Sequence, residues 1–293
     1  MKKAVKVVLI VFAVLVVGVI LYFVCAFFGN PVSYFLAKNS AVDYIAENYT
    51  EYDFEVEKIG YDFKSTGYYA RVIQPGSKDI HYNVYFDLLG KPHHDTFENI
   101  TDGWNTAMRL EKEYRALVET TEEEINKFFV CDIFFGEIKT SDMSEDYEWK
   151  GPYGVPMSEL ILDYDYDINE VAEKAGHIVF YYDETELTAE KSAIRLLELK
   201  RIFDEKGVKF YAIDFIAQEP KTEENASTRK EFSVREFLYS DIYEEELAQR
   251  LQEAADDLQN YYWQKTKRNK INKHNMLLIN RFPTLGKAAF SFS

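Results

Sequence analysis

Hydrophobic and polar positions fall into three successive patterns along the chain. From Val7 to Phe28 no residue is charged. At about 1.5 Å per residue a helix over this run is about 33 Å long, enough to cross a hydrocarbon core of about 30 Å. A helix packed in a soluble core would show a polar face over such a length, and this one shows none. Asn30-Pro31 then reads as a fresh helix start, with asparagine as cap and proline at the first helical position. Phe35, Leu36, Val42, Ile45, Ala46 and Tyr49 follow at helical spacing and predict an amphipathic helix to about Asn48.

The pattern next shifts toward a period of two. Strands are predicted near Asp53–Phe63, over Gly67–Gln74 closed by a Pro75-Gly76 turn, and over Ile80–Phe86. The last is the clearest, with Ile80, Tyr82, Val84 and Phe86 on one face. A helix followed by three strands predicts an antiparallel meander with one face buried against that helix. A helix from Asp102 through Val118 follows, and the acids Glu122–Glu124 mark the expected domain boundary.

The remainder reads as α/β. Strands are expected at Val130–Ile138, Leu160–Tyr166, His177–Tyr182, Val208–Ala217 and Lys230–Tyr239. Helices are expected from the cap Asp167 to Gly176, over Thr188–Lys206, and after Asp241 with Leu247, Leu251, Ala254, Ala255 and Leu258 as its core stripe. The fold class is therefore α+β: an N-terminal transmembrane helix, a helix plus three-stranded meander domain, and a second α/β domain whose open sheet carries helices on one face. The expected organisation is 1–29 stub and anchor, 30–121 first domain, 122–264 second domain, and 265–293 an unstructured basic tail.

Charge gives the first stretch an orientation. Lys2, Lys3 and Lys6 precede the apolar run, and Lys38 is the next base after it. This asymmetry predicts a cytoplasmic N-terminus, a single pass through the cell membrane, and an extracellular remainder. A cleavable signal is the competing reading, but the run exceeds the roughly 7–15 apolar residues of a signal peptide. A lipoprotein reading of Cys25 lacks the small residue it needs at Val24. The chain's formal charge is −16, and it is more acidic still without the three cytoplasmic lysines. Such a surface repels nucleic acid and anionic head groups. Hydrophobic content of 47% and aromatic content of 16% suffice for a packed core. Of two cysteines, Cys25 lies in the anchor and Cys131 in an apolar run, so no disulfide is expected within the soluble part.

The stretches GNPVSYFLAKNSAVDYIAENY, YDFKSTGYYARV, HYNVYFDLLGKPHHDTFE and WNTAMRLEKEY occur in that order behind the lysine-flanked anchor. In order and spacing they resemble the YfjL-like family of bacterial membrane-anchored proteins, over most of residues 1–264. That resemblance implies an anchored envelope protein and brings no catalytic residues. The helix-then-strands unit ending in Asp87-Leu88-Leu89-Gly90-Lys91 is also similar to PepSY-type domains, extracytoplasmic modules linked to peptidase inhibition. Their turn from aspartate to glycine is slightly longer than the one here.

Candidate chemistry is sparse. Asp163, Asp165 and Asp167 alternate with Tyr164, Tyr166 and Ile168, and on a strand would share one face. The spacing opens a calcium loop, but Ile168 and Lys174 stand where glycine and glutamate belong. These three are the metal candidates, and a solvated strand face is the expected outcome. His93-His94-Asp95 is read as a loop after the third strand, without the second cluster a zinc site needs. No catalytic site and no cofactor is predicted. The expected partners are the lipid bilayer through residues 7–28 and an envelope protein or peptide, with nucleic acid excluded. The expected function is an extracytoplasmic binding or interaction module; the alternative is a cell-envelope hydrolase using a carboxylate pair.

Overall fold

A computed structural model describes residues 2–141, 153–225 and 228–281. Helix α1 spans Lys2–Phe28 and α2 spans Pro31–Asn48. The Asn30 side chain caps α2 by accepting from the Ser33 amide at 2.8 Å. Strands β1 (Glu55–Asp62), β2 (Gly67–Ile73), β3 (His81–Phe86) and β4 (Pro92–Asp95) form an antiparallel sheet in the order β1-β2-β3-β4. The sheet thus has one strand more than the expected meander. Asp87 makes the extra strand: its Oδ1 accepts from the amides of Leu89 and Lys91, both at 2.8 Å. That tight turn folds His93-His94-Asp95 back onto β3, so these residues lie on a strand and not in a loop.

Burial on β3 follows the alternation, with Tyr82, Val84 and Phe86 inside. The face of α2 does not follow expectation. The buried residues are Ser33, Ala37, Ala41 and Ile45, a stripe of four-residue spacing, while Phe35, Leu36 and Val42 are exposed. Small side chains let the helix approach the sheet closely over Ala70, Val72, Val84 and Phe86. Phe35, Leu36 and Val42 are left outward, and Ile45 is the one large aliphatic group of the buried stripe.

Short helices α3 (Glu98–Thr101) and α5 (Glu122–Ile125) flank α4 (Trp104–Glu119). Two compact units result: Met1–Arg109 with Met157–Asp165, and Leu110–Pro156 with Tyr166–Ser293. The division falls inside α4, ahead of Glu122–Glu124, and a later segment returns to the first unit. That segment is not the expected strand Leu160–Tyr166. It holds a 3-10 turn at Met157–Glu159 and then an irregular path through Asp163 at φ +59°. One residue in the left-handed region breaks a period of two, so the three aspartates share no strand face.

The second unit carries β5 (Cys131–Ile138), α6 (Ile168–Ala175), β6 (Gly176–Asp183), α7 (Ala189–Lys206), β7 (Ala212–Gln218), β8 (Glu231–Leu238) and α8 (Leu247–Arg281). Its sheet runs β5-β6-β7-β8, with the central pair β6/β7 parallel and joined through α7, and both outer pairs antiparallel. Ile178, Phe180 and Tyr182 of β6, Phe215 of β7 and Leu196, Leu199 and Phe203 of α7 are buried. Each such side chain removed from water contributes about 1.5–3 kcal/mol before entropy is charged against it. Gly136 of β5 lies beneath α4, where a Cβ would meet Val118 Cγ2 at 2.6 Å.

The helix expected over Thr188–Lys206 forms as α7, with Thr188 as its cap and Gly207 closing it at φ +68°. Asp241 does not cap the last helix; it ends a 3-10 turn at Tyr239–Asp241, and α8 begins at Leu247. The strand expected from Val208 starts at Ala212. Helical backbone extends to Arg281, through part of the segment expected as an unstructured tail, and 282–293 lie outside the described residues.

Candidate functional site

Alternation that buries one face of the first sheet leaves the other open. Cross-strand register lines up Gly60 of β1, Tyr69 of β2, Tyr85 of β3 and His94 of β4 in one transverse row. Tyr69 covers Gly60: a Cβ there would meet the tyrosine ring at 2.3 Å. Tyr69 and Tyr85 rings stand 6.3 Å apart, and His94 stacks on Tyr85 at 5.8 Å. The adjoining row is polar, with Lys58, Arg71 and Asn83 in register, and Arg71 Nε contacts Glu57 at 3.0 Å. Between the rows lies a hollow of about 260 Å³ walled by Lys58, Asp62, Tyr69, Arg71, Asn83 and Tyr85. The side-chain oxygen of Asn83 is shielded from solvent and has no hydrogen-bond partner among the described residues. Beside Arg71, burial holds the His81 imidazole below its ordinary titration range, so it is neutral at neutral pH.

Asp163, Asp165 and Asp167 are separated by role. Asp163 Oδ1 accepts from Ser77 Oγ at 2.9 Å and from the amides of Lys78 and Asp79 at 2.6 and 3.0 Å. Asp165 pairs with Lys78 in solvent. Asp167 caps α6 through the Asn169 amide at 2.9 Å. No group of three His, Cys, Asp or Glu with metal-holding geometry occurs among the described residues. Calcium should leave the unfolding temperature of the full-length protein unchanged, and Asp165→Asn should behave like the parent. A calcium-induced rise that disappears in Asp165→Asn would make this segment a metal site after all.

Beneath Asp163 sits an ionic cluster that the sequence does not single out. Asp79 is fully buried. Its carboxylate accepts from Arg109 Nε at 2.7 Å, Arg109 Nη2 at 3.0 Å, Thr106 Oγ1 at 2.9 Å and the Asp163 amide at 2.9 Å. Burial alone would raise its pKa; Arg109, the Asp163 amide and Thr106 outweigh that and hold it below the usual carboxylate range.

A second buried cluster crosses the other sheet. His177 of β6 places Nδ1 2.9 Å from Glu137 Oε1 of β5 and Nε2 3.1 Å from Asp214 Oδ1 of β7. Carboxylates only accept, so each ring nitrogen carries a proton and the ring is an imidazolium. Burial opposes that charge, and Asp214 and Glu137 outweigh it, raising the His177 pKa. Glu137 is driven down to about 2: burial opposes ionisation, while His177 and Lys139, the latter at 2.6 Å, favour it. The legible signal was Asp214, an acid inside the apolar run Ala212–Ala217. Nothing local could name its partner, because the contacts span |i−j| of 37 and 40 residues. A hollow of about 390 Å³ lies between β8 and α8, with Arg235, Asp256 and Tyr262 in its wall.

Cys131 is half-buried, and burial pushes its thiol up to about 11, against a role as nucleophile.

Fold and site together define a two-sheet α+β protein led by a helix long and apolar enough to cross a membrane, with mean hydropathy 3.3 in its most apolar window. The family models for the YfjL-like N-terminal domain and the YfjL-like C-terminal domain match residues 2–96 and 110–252, and the chain belongs to the YfjL-like family. No curated protein and no solved structure gives a significant match.

Proposed function

We propose that this protein is a single-pass, membrane-anchored module of the extracytoplasmic face that binds an extended segment of another envelope protein or peptide. The open face of the first sheet carries the reading. Its tyrosine–histidine row offers rigid aromatic area at low entropic cost, and the adjacent Lys58, Arg71 and Asn83 offer polar groups that fix orientation. Lys2, Lys3 and Lys6 ahead of the apolar run Val7–Phe28 favour a cytoplasmic N-terminus and an outward-facing sheet.

The electrostatics favour binding over hydrolysis. A glycosidase-type general acid needs a carboxyl raised toward neutrality. Among the described residues every carboxylate with a resolved shift is shifted down, Asp79, Asp95 and Glu137 included. Asp95, the half-buried acid of β4, accepts from Tyr44 Oη at 2.5 Å and Tyr49 Oη at 2.8 Å, which outweighs its burial.

One experiment tests both location and face. His93, exposed beside the aromatic row, is changed to cysteine in a background lacking Cys25 and Cys131, with Lys112→Cys on α4 as control. A membrane-impermeant maleimide carrying a photoreactive group should label both positions on intact cells. Illumination should then give a discrete crosslinked product from position 93 only. Labelling only after lysis would refute the orientation, and equal crosslinking from both positions would refute the binding face.

A further inference from the structure

The exit of α1 is fixed to the first unit, and the surface around that exit is apolar. Tyr61 Oη donates to the carbonyl of Ala26 at 2.9 Å, satisfying one of the acceptors that the last turn of a helix leaves open. Tyr68 Oη accepts from the Asn30 amide at 2.6 Å and donates to the Asn30 carbonyl at 2.8 Å. Ser33 Oγ donates to the Leu88 carbonyl at 2.5 Å. Gly29, at φ +76°, makes this seam tight: a Cβ there would meet Tyr68 Oη at 2.3 Å and Tyr61 Cγ at 2.9 Å. Gly90, at φ +77°, likewise seats the β3–β4 turn against the Leu36 backbone, 2.9 Å from where its Cβ would stand.

These contacts hold three apolar segments beside the end of the membrane-crossing run. Phe63, at the tip of the β1–β2 hairpin, is 55% exposed, and its ring lies 6.5 Å from that of Phe27. Leu89, in the β3–β4 turn, is 79% exposed, next to the exposed Leu88. The outward face of α2 adds Val32 and Phe35, also exposed. Lys64 and Lys91 follow the first two segments directly, and both are exposed. If Val7–Phe28 fills the hydrocarbon, Phe27 marks its outer boundary, and an exposed ring in contact range of Phe27 lies at that depth. Apolar tips backed by lysines are the composition of a surface seated at a lipid interface, with cations at head-group level.

We propose that Phe63, Leu88–Leu89 and the Val32/Phe35 face of α2 form a collar inserted into the outer leaflet around α1. The occupant of this face is lipid. The first unit is then seated on the bilayer at a fixed depth, and does not swing on a tether. The proposal rests on α1 crossing the bilayer, and the experiment reads that separately.

The full-length protein is reconstituted into phosphatidylcholine–phosphatidylglycerol vesicles. It carries single cysteines in the Cys25- and Cys131-free background at Leu89, Phe63, Val16 and Lys112, each labelled with an environment-sensitive fluorophore. Labels at Leu89 and Phe63 should show blue-shifted emission quenched by lipids bearing a nitroxide high on the acyl chain. The Val16 label should be quenched by a nitroxide deep in the chain, and the Lys112 label should remain quenchable by aqueous iodide. Leu89 and Phe63 labels that behave like Lys112, with Val16 still quenched deeply, would overturn the collar and leave the span intact. A Val16 label not quenched by lipid would overturn both. A blue shift at Leu89 without lipid quenching would assign this face to a second copy of the chain and reject the lipid occupant.

Discussion

Asp79→Ala should lower the stability of the full-length protein by about 3–5 kcal/mol, the range for breaking a buried pair from one side. The substitution takes the carboxylate partner from Arg109, which keeps the Tyr164 carbonyl, removes an acceptor from Thr106, and orphans the amide of Asp163. Asp79→Asn keeps shape and loses charge, and should cost less, about 1–3 kcal/mol. The Asp79 pKa is depressed in the folded state. Its contribution is therefore present above the ordinary carboxylate value and is lost as pH falls through the folded one. Unfolding in mild detergent, followed by near-ultraviolet circular dichroism, should find Asp79→Ala less acid-sensitive than the parent. A loss under about 1 kcal/mol would mean that Arg109 escapes to solvent and that the cluster holds nothing together.

His177→Gln should cost about 3 kcal/mol, because one glutamine amide cannot satisfy both Glu137 and Asp214. The cost should depend on pH in a particular way. The raised His177 pKa means that its contribution is complete below an ordinary histidine value near 6.5 and fades as pH rises through the folded value. Glu137, driven down to about 2, contributes fully above its ordinary 4.5 and loses this as pH falls. Both terms are whole between about pH 4.5 and 6.5, where the difference between parent and variant should peak. Stability curves for the two proteins that run parallel from pH 4 to 9 would show that His177 is neutral in the fold. Nitrogen-15 shifts of the ring, which separate imidazolium from either neutral tautomer, provide an independent reading.

What was legible in the sequence tracks how local its cause is. The apolar run Val7–Phe28, the Tyr82/Val84/Phe86 alternation, and the caps Asn30 and Asp167 each rest on residues a few positions apart, and each appears in the fold. On α2 hydrophobicity alone does not give burial: Ile45 of the expected stripe is inside and Tyr49 packs on the core, but Phe35, Leu36 and Val42 are exposed. The sheet selects small residues for close approach, so Ala37 and Ala41 go inside while Phe35 stays out. The aspartate run was misread for a related reason. Alternation in sequence has no meaning once Asp163 adopts a left-handed backbone to receive three donors from Ser77, Lys78 and Asp79. Of the site, the tyrosines and the histidine pair were visible as residues. Their alignment in one row required the register of four strands, including β4, whose four residues carry no strand-like pattern.

The return of Met157–Asp165 to the first unit has a consequence for how the protein is made. Helix α1 emerges first, and the strands of the first sheet follow it within the first hundred residues. Yet the Ser77–Asp79 turn lacks its acceptor until Asp163 has been synthesised, and by then β5 has been made. The first unit therefore matures late, as a lock whose bolt arrives with the chain of its neighbour. A fragment ending at Arg109 carries the whole first sheet with an incomplete ligand set around Asp79. A fragment beginning at Leu110 carries Asp163 with no turn to receive it. The family models divide the chain between residues 96 and 110, but a cut there separates Met157–Asp165 from the unit it completes.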